Sequence, residues 1–122
     1  MQPMVSFIQH EPTQQTFAAG EIIFRQGDDG DVMYCVITGK VEVTIADEIV
    51  EVVEEGGMLG EMALIDNSPR SATVKAKTDC TLAVINQKRF MTLIQQTPYF
   101  AIQVMSVLAD RLRRCDVRHG GM

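Results

Sequence analysis

Glycine sets the rhythm of the first sixty residues, and that rhythm admits few folds. Gly20, the pair Gly27 and Gly30, Gly39 and the doublet Gly56-Gly57 cut the stretch into pieces of about seven to seventeen residues. Pieces that short, bounded by turn residues, suit hairpins in an all-β sandwich or barrel. Val41, Val43 and Ile45 alternate with Glu42 and Thr44, the period of a strand with one buried face. Met33, Cys35 and Ile37 interleave with Val32, Tyr34 and Val36, so that strand is apolar on both faces, as expected deep inside a sandwich or roll. Two more strands are expected from Ser71 to Ala76 and from Cys80 to Ile85. No repeat of solenoid length and no low-complexity tract interrupts the pattern.

After Ile85 the period becomes helical. Asn86 is placed to cap a helix whose apolar stripe is Phe90, Leu93 and Ile94. Thr97-Pro98 restarts the chain, with proline at the first helical position, where its missing N–H is no loss. Ala101, Met105, Leu108, Leu112 and Cys115 then follow a four-three spacing. That seam is expected to pack on the roll or on a second copy of itself.

The chemistry is concentrated in one segment, Leu59 to Val74, LGEMALIDNSPRSATV. Gly60 lets backbone approach a ligand closely. The turn Glu61-Met62-Ala63-Leu64 would aim the unpaired N–H groups of a helix start at an anion. Glu61, acceptor-only when ionised, suits a ribose hydroxyl, and Arg70 carries the planar fork that matches two phosphate oxygens. Together these types and spacings describe a pocket for one phosphodiester and one ribose.

The segment closely resembles the phosphate-binding cassette of cyclic-nucleotide-binding domains. The resemblance rests on Gly60-Glu61, the apolar Met62-Ala63-Leu64, Pro69 before Arg70, and Ser71-Ala72-Thr73 before Val74, and is greatest to prokaryotic cyclic-nucleotide-gated potassium channels and cAMP-dependent protein kinase regulatory subunits. The stretch from Ala19 to Thr44 also looks like the first half of such a domain. The resemblance implies a mainly β fold: an eight-stranded antiparallel β-roll, jelly-roll-like, with a short cassette helix and two C-terminal helices. It implies one domain over residues 1–122, with the roll at about 15–85 and the helices at about 87–117. It implies cyclic-nucleotide contacts from Gly60, Glu61, Met62, Ala63, Arg70, Ser71 and Ala72. Arg111, thirteen residues after Pro98, stands where those channels place a lid arginine against the base, and a guanidinium can stack on a purine. The implied ligand is cAMP, with cGMP as the alternative because the Ser71 hydroxyl suits either. The last helix is implied to move on binding.

Length and charge exclude other classes. At 122 residues the chain is one domain's worth. A net charge of −5 argues against a nucleic-acid surface, which needs clustered cations. Arg111, Arg113, Arg114 and Arg118 do cluster, where cations offset a helix dipole. No membrane-spanning run and no signal peptide are read. Cys35, Cys80 and Cys115, odd in number and without a CxxC pair, read as reduced thiols, giving a cytoplasmic expectation. His10 and His119 stand near opposite ends, so neither a metal centre nor a serine-histidine pair is expected, and no enzyme. The run Gly27-Asp28-Asp29-Gly30-Asp31 lacks the spacing of a calcium loop and reads as a turn using glycines for positive φ. The expectation is a cytoplasmic, non-enzymatic receptor domain without cofactor or metal, binding no nucleic acid, not inserted in membranes, and signalling to a protein effector. A homodimer through the C-terminal helix is compatible with it. The competing expectation is a nucleotide-free β-roll scaffold that assembles through that helix.

Overall fold

The computed structural model describes residues 8–118, with side chains described through Arg113. The side chains of Arg114, Cys115 and Arg118, and all of His119, lie outside the described residues. In chain order the strands are β1 (Gln14–Phe17), β2 (Ile22–Phe24), β3 (Val32–Thr38), β4 (Val41–Ile45), β5 (Glu48–Val53), β6 (Met58–Leu59), β7 (Thr73–Ala76) and β8 (Cys80–Asn86). The helices are α1 (Met62–Ile65), α2 (Gln87–Gln96) and α3 (Pro98–Arg118). One antiparallel sheet has the order β1-β8-β3-β6 and the other β2-β7-β4-β5. Two such sheets with a short helix and two C-terminal helices form the β-roll.

Strand β3 explains how the layers hold together. Its pairing with β8 sets Tyr34 opposite Val84 and Cys35 opposite Ala83. Met33, Cys35 and Ile37 face a core shared with Leu64 and the helices, where Phe90, Leu93, Phe100 and Val104 meet them. Tyr34 and Val36 face the interior of the roll with Val41, Leu59, Val74 and Leu82. A strand apolar on both faces therefore joins two cores, as its sequence implies.

The C-terminal helices dock by specific contacts. The Asn86 side chain accepts from the Arg89 N–H at 2.8 Å, capping α2 as expected. Thr97 N–H returns to Leu93 O at 2.7 Å, and α3 starts at Pro98. Phe90 and Phe100 meet edge to face, centroids 5.8 Å apart, which fixes the rotation of α3 about its axis.

That rotation differs from the expected seam. Phe100 and Val104 are the buried residues, with Val107 and Leu108 packed beside them. Ala101 is only half-buried, while Met105 and Leu112 are 55% and 66% exposed. The cause is that α3 is apolar around much of its circumference, and its largest purely hydrocarbon side chain, Phe100, takes the core position. A one-residue change of face is a rotation of about 100°.

Three smaller expectations also shift. Ile45 ends its strand 40% exposed, because beyond Val41 the β4 face opens onto a cavity rather than the core. Strand β7 begins at Thr73 rather than Ser71, since Ser71 and Ala72 form part of the same cavity wall. Gly27 has the positive φ expected of its turn (91°), but Gly30 does not, and is needed there for a different reason given below.

Cys35 is fully buried, and its thiol is pushed up from about 9 to about 12 by burial, with Glu11 and Glu61 adding to the effect. Thiolate is the nucleophile, so Cys35 should resist a thiol reagent such as DTNB in the folded state and react only on unfolding. Between pH 9 and 12 the unfolded chain releases this proton before the folded one, so this thiol lowers stability as pH rises through that window. Counting reactive thiols with and without denaturant checks the first point; rapid native labelling of Cys35 would contradict it.

Candidate functional site

Segments distant in sequence meet around one cavity of about 750 Å³. Its walls come from the β6–α1 turn and the loop after α1, from strands β4 and β5, and from the C-terminal half of α3. All eight residues singled out from the sequence line it: Gly60, Glu61, Met62, Ala63, Arg70, Ser71, Ala72 and Arg111. Val43, Ile45 and Val50 on the strands and Leu108 and Leu112 on α3 supply an apolar lining.

Gly60 takes φ 74°, a left-handed conformation that favours glycine. A Cβ there would also collide with Arg70 Nη1. The backbone then enters α1, where Ala63 N–H turns back to Gly60 O and Leu64 N–H to Glu61 O. Two of the N–H groups expected to face an anion are thus engaged internally. The Glu61 and Met62 N–H groups make no backbone hydrogen bond among the described residues.

Arg70 is buried and held from several sides. Nη1 donates to Gly60 O at 3.2 Å and Nη2 to Val32 O at 2.8 Å. Its guanidinium carbon lies 4.1 Å from the centroid of the Phe24 ring, a cation–π contact. The β2–β3 loop grips its backbone: Gly27 N–H donates to Arg70 O and Arg70 N–H to Asp28 O, both at 2.8 Å. Gly30 passes so close that a Cβ would overlap the guanidinium, which is why glycine stands there without a positive φ. Burial lowers the Arg70 pKa, opposed by Tyr34, Asp31, Asp28 and Glu61. Arginine nonetheless stays charged at any physiological pH.

Glu61 is buried at 2% exposure, and its Oε2 accepts from Arg111 Nη1 at 2.6 Å. Arg111 also donates Nη2 to Met58 O at 2.9 Å and sets Nε 3.4 Å from Glu51 Oε1. Burial alone would lower the Arg111 pKa, but Glu61 and then Glu51 outweigh it and the pKa is raised. Arg111 thus ties α3 to the cassette and to β5.

Two buried side-chain atoms among the described residues lack a hydrogen-bond partner: Glu61 Oε1, an acceptor, and Arg70 Nε, a donor. Both belong to residues lining this cavity. Leaving buried polar groups unmatched costs about 1–3 kcal/mol each, so their pairing at one cavity needs a reason, and a ligand carrying a hydroxyl donor and an anionic acceptor supplies one. No group of three or more His, Cys, Asp or Glu placed to hold a metal ion occurs among the described residues. No helix among them is long and apolar enough to cross a membrane.

The cyclic nucleotide-binding domain family model matches residues 14–97. The chain belongs to this family. Among solved structures, the Thermus thermophilus catabolite activator protein is 30% identical with a TM-score of 0.81, matching 96% of this chain and 57% of its own. The cAMP-bound form of the EAL enzyme Bd1971 is 32% identical with a TM-score of 0.63, over 87% of this chain and 30% of its own. A cAMP-bound PfPKA-R is 27% identical with a TM-score of 0.65, over 88% and 34%. This chain therefore spans little more than half of the first of these proteins and about a third of the others.

Several residues of this cyclic nucleotide-binding domain's cavity are not evident in the motif. Phe24 and the Val32 carbonyl orient Arg70 from strands far upstream, and only the glycine at position 30, standing where no turn requires it, hints at a close approach. Glu51 sits in an unremarkable strand and carries no local signal.

Proposed function

We propose that this chain is a receptor domain for a 3′,5′-cyclic nucleotide, cAMP by preference and cGMP as the alternative, and that it performs no chemistry on the ligand. The observation that carries the reading is the pairing of one unmatched buried acceptor and one unmatched buried donor at a single cavity. A 3′,5′-cyclic nucleotide has one free ribose hydroxyl, the 2′, and one anionic phosphodiester. In this reading Glu61 Oε1 accepts from the hydroxyl and Arg70 Nε donates to the phosphate. Gly60, Met62, Ala63, Ser71 and Ala72 close around the same end. The apolar lining of Val43, Val50 and Leu108, with Arg111 at its edge, takes the base. Two of the similar structures are described as cAMP-bound, which supports the ligand class.

The domain spans the roll and both C-terminal helices, works in the cytoplasm without cofactor or metal, and transmits binding through α3 to a protein effector. Arg111 is the connection, because it joins that helix to the residue that holds the sugar. A ligand shifts a conformational equilibrium only through contacts that differ between the two states, and in this reading that contact is made at Glu61, the carboxylate Arg111 holds. The exposed Ile102, Met105 and Leu112 on α3 favour homodimerisation, or assembly as a nucleotide-free scaffold, as a second reading.

Isothermal titration should give a cAMP dissociation constant at or below the micromolar range, roughly −8 kcal/mol. Absence of heat and of thermal stabilisation at millimolar cAMP and cGMP would leave the scaffold reading. The transmission step predicts altered hydrogen-exchange protection across residues 98–113 on saturation with cAMP. Unchanged protection there would mean that α3 is a fixed support.

A further inference from the structure

Two arginine–glutamate pairs among the described residues bury the carboxylate, and they differ in one respect. Arg89 grips Glu11 with both arms of its fork, Nε to Oε1 at 2.8 Å and Nη2 to Oε2 at 2.7 Å. Both oxygens of a carboxylate that is 3% exposed are thereby occupied. This is the arrangement that a planar guanidinium and a carboxylate adopt when nothing diverts them. Arg111 meets an equally buried carboxylate, Glu61, with a single arm: Nη1 reaches Oε2 at 2.6 Å, and Oε1 has no partner. The Nε–Nη2 edge, which Arg89 uses to fork Glu11, is here turned away from Glu61, with Nε 3.4 Å from Glu51 Oε1 on β5. Nη2 is turned to Met58 O.

We infer that Glu51 is a positioning residue: by drawing the Nε of Arg111 aside, it keeps one oxygen of Glu61 open for the ligand's ribose hydroxyl. The inference rests on the reading of Glu61 given above and adds the residue that makes that glutamate available. Without Glu51, Arg111 closes onto both oxygens of Glu61, as Arg89 does on Glu11. The ligand's 2′-hydroxyl then has to displace an ionic hydrogen bond in order to bind. Glu51 acts only through Arg111 and only on the hydroxyl subsite. The phosphate seat is built separately, from Arg70, Val32 and Gly60, and does not depend on it.

The test is titration of the full chain with two probes, cAMP and 2′-deoxy-cAMP, which lacks the hydroxyl. Glu51→Ala should weaken cAMP roughly tenfold or more, the size of one hydrogen bond to a charged group, and leave 2′-deoxy-cAMP within about threefold of the parent. Glu51→Gln keeps an amide oxygen that accepts from Nε and should restore most of the cAMP affinity. In an Arg111→Ala background, where the competing fork is gone, Glu51→Ala should have no further effect. The inference is overturned if Glu51→Ala binds cAMP as the parent does, if both probes weaken equally, if Glu51→Gln restores nothing, or if the loss persists in Arg111→Ala. Failure of the parent chain to bind cAMP would instead remove the underlying reading of the site, so the two failures are distinct.

Discussion

Replacing Arg70 by alanine should weaken cAMP binding by about 3 to 5 kcal/mol, two orders of magnitude or more, the usual consequence of truncating one partner of a buried, hydrogen-bonded charge pair. Arg70 is 7% exposed and lines the cavity, and two of its three guanidinium nitrogens donate to main-chain carbonyls while the third, Nε, has no partner. Alanine removes the positive charge opposite the phosphate. It also strips the Val32 and Gly60 carbonyls of their donors, so thermal stability should fall by about 1–3 kcal/mol as well. Lysine should be nearly as damaging. One ammonium cannot serve both carbonyls, stack on Phe24 and reach a phosphate at once, because those tasks use the separate nitrogens and the flat face of the guanidinium. Titration and a thermal melt on both variants decide the matter. Arg70→Ala binding within threefold of the parent would mean that the phosphate is held elsewhere.

The second large effect is on folding. Arg89→Ala should lower stability by about 3 kcal/mol, because it leaves the Glu11 carboxylate buried without a countercharge. The figure sits at the low end of the usual range because the Arg89 side chain is 37% exposed, and water can reach part of the gap it leaves. For a chain of this size that corresponds to a fall in Tm of roughly 10 °C. Replacing both partners with apolar residues, Glu11→Leu with Arg89→Met, should recover most of the loss, since the penalty comes from the stranded charge rather than from the missing attraction. Thermal unfolding of Arg89→Ala and of the double variant measures this. A change below about 2 °C in Arg89→Ala would show that solvent, not Arg89, stabilises Glu11. The pair fastens the segment ahead of β1 to α2, the helix against which α3 packs.

Sequence and tertiary structure divided the determination of this protein along the line between local and distant chemistry. Gly60, Glu61 and Arg70 were legible because a turn, an acceptor and a fork at short separation constrain one another within a single segment. Asn86 was legible as a cap because capping is a contact between residues three apart. The two-faced β3 was legible because alternation along a strand reports both of its surfaces. Contacts made across the fold left no such trace. Arg70 is oriented by Val32, 38 residues earlier, and Arg111 by Glu61, 50 residues earlier, and nothing near either partner in sequence announces the pairing. The β4–β5 hairpin turns at Ala46 and Asp47, both at positive φ, with no glycine to mark it, so that hairpin depends on strand pairing rather than on its turn residues. The buried face of α3 was the plainest case. Ala101 with Met105 and Phe100 with Val104 are equally regular apolar rows one residue apart, and periodicity weights them alike. Phe90 across the interface breaks the tie: Phe100 meets it edge to face and is fully buried, and the same rotation carries Arg111 to Glu61.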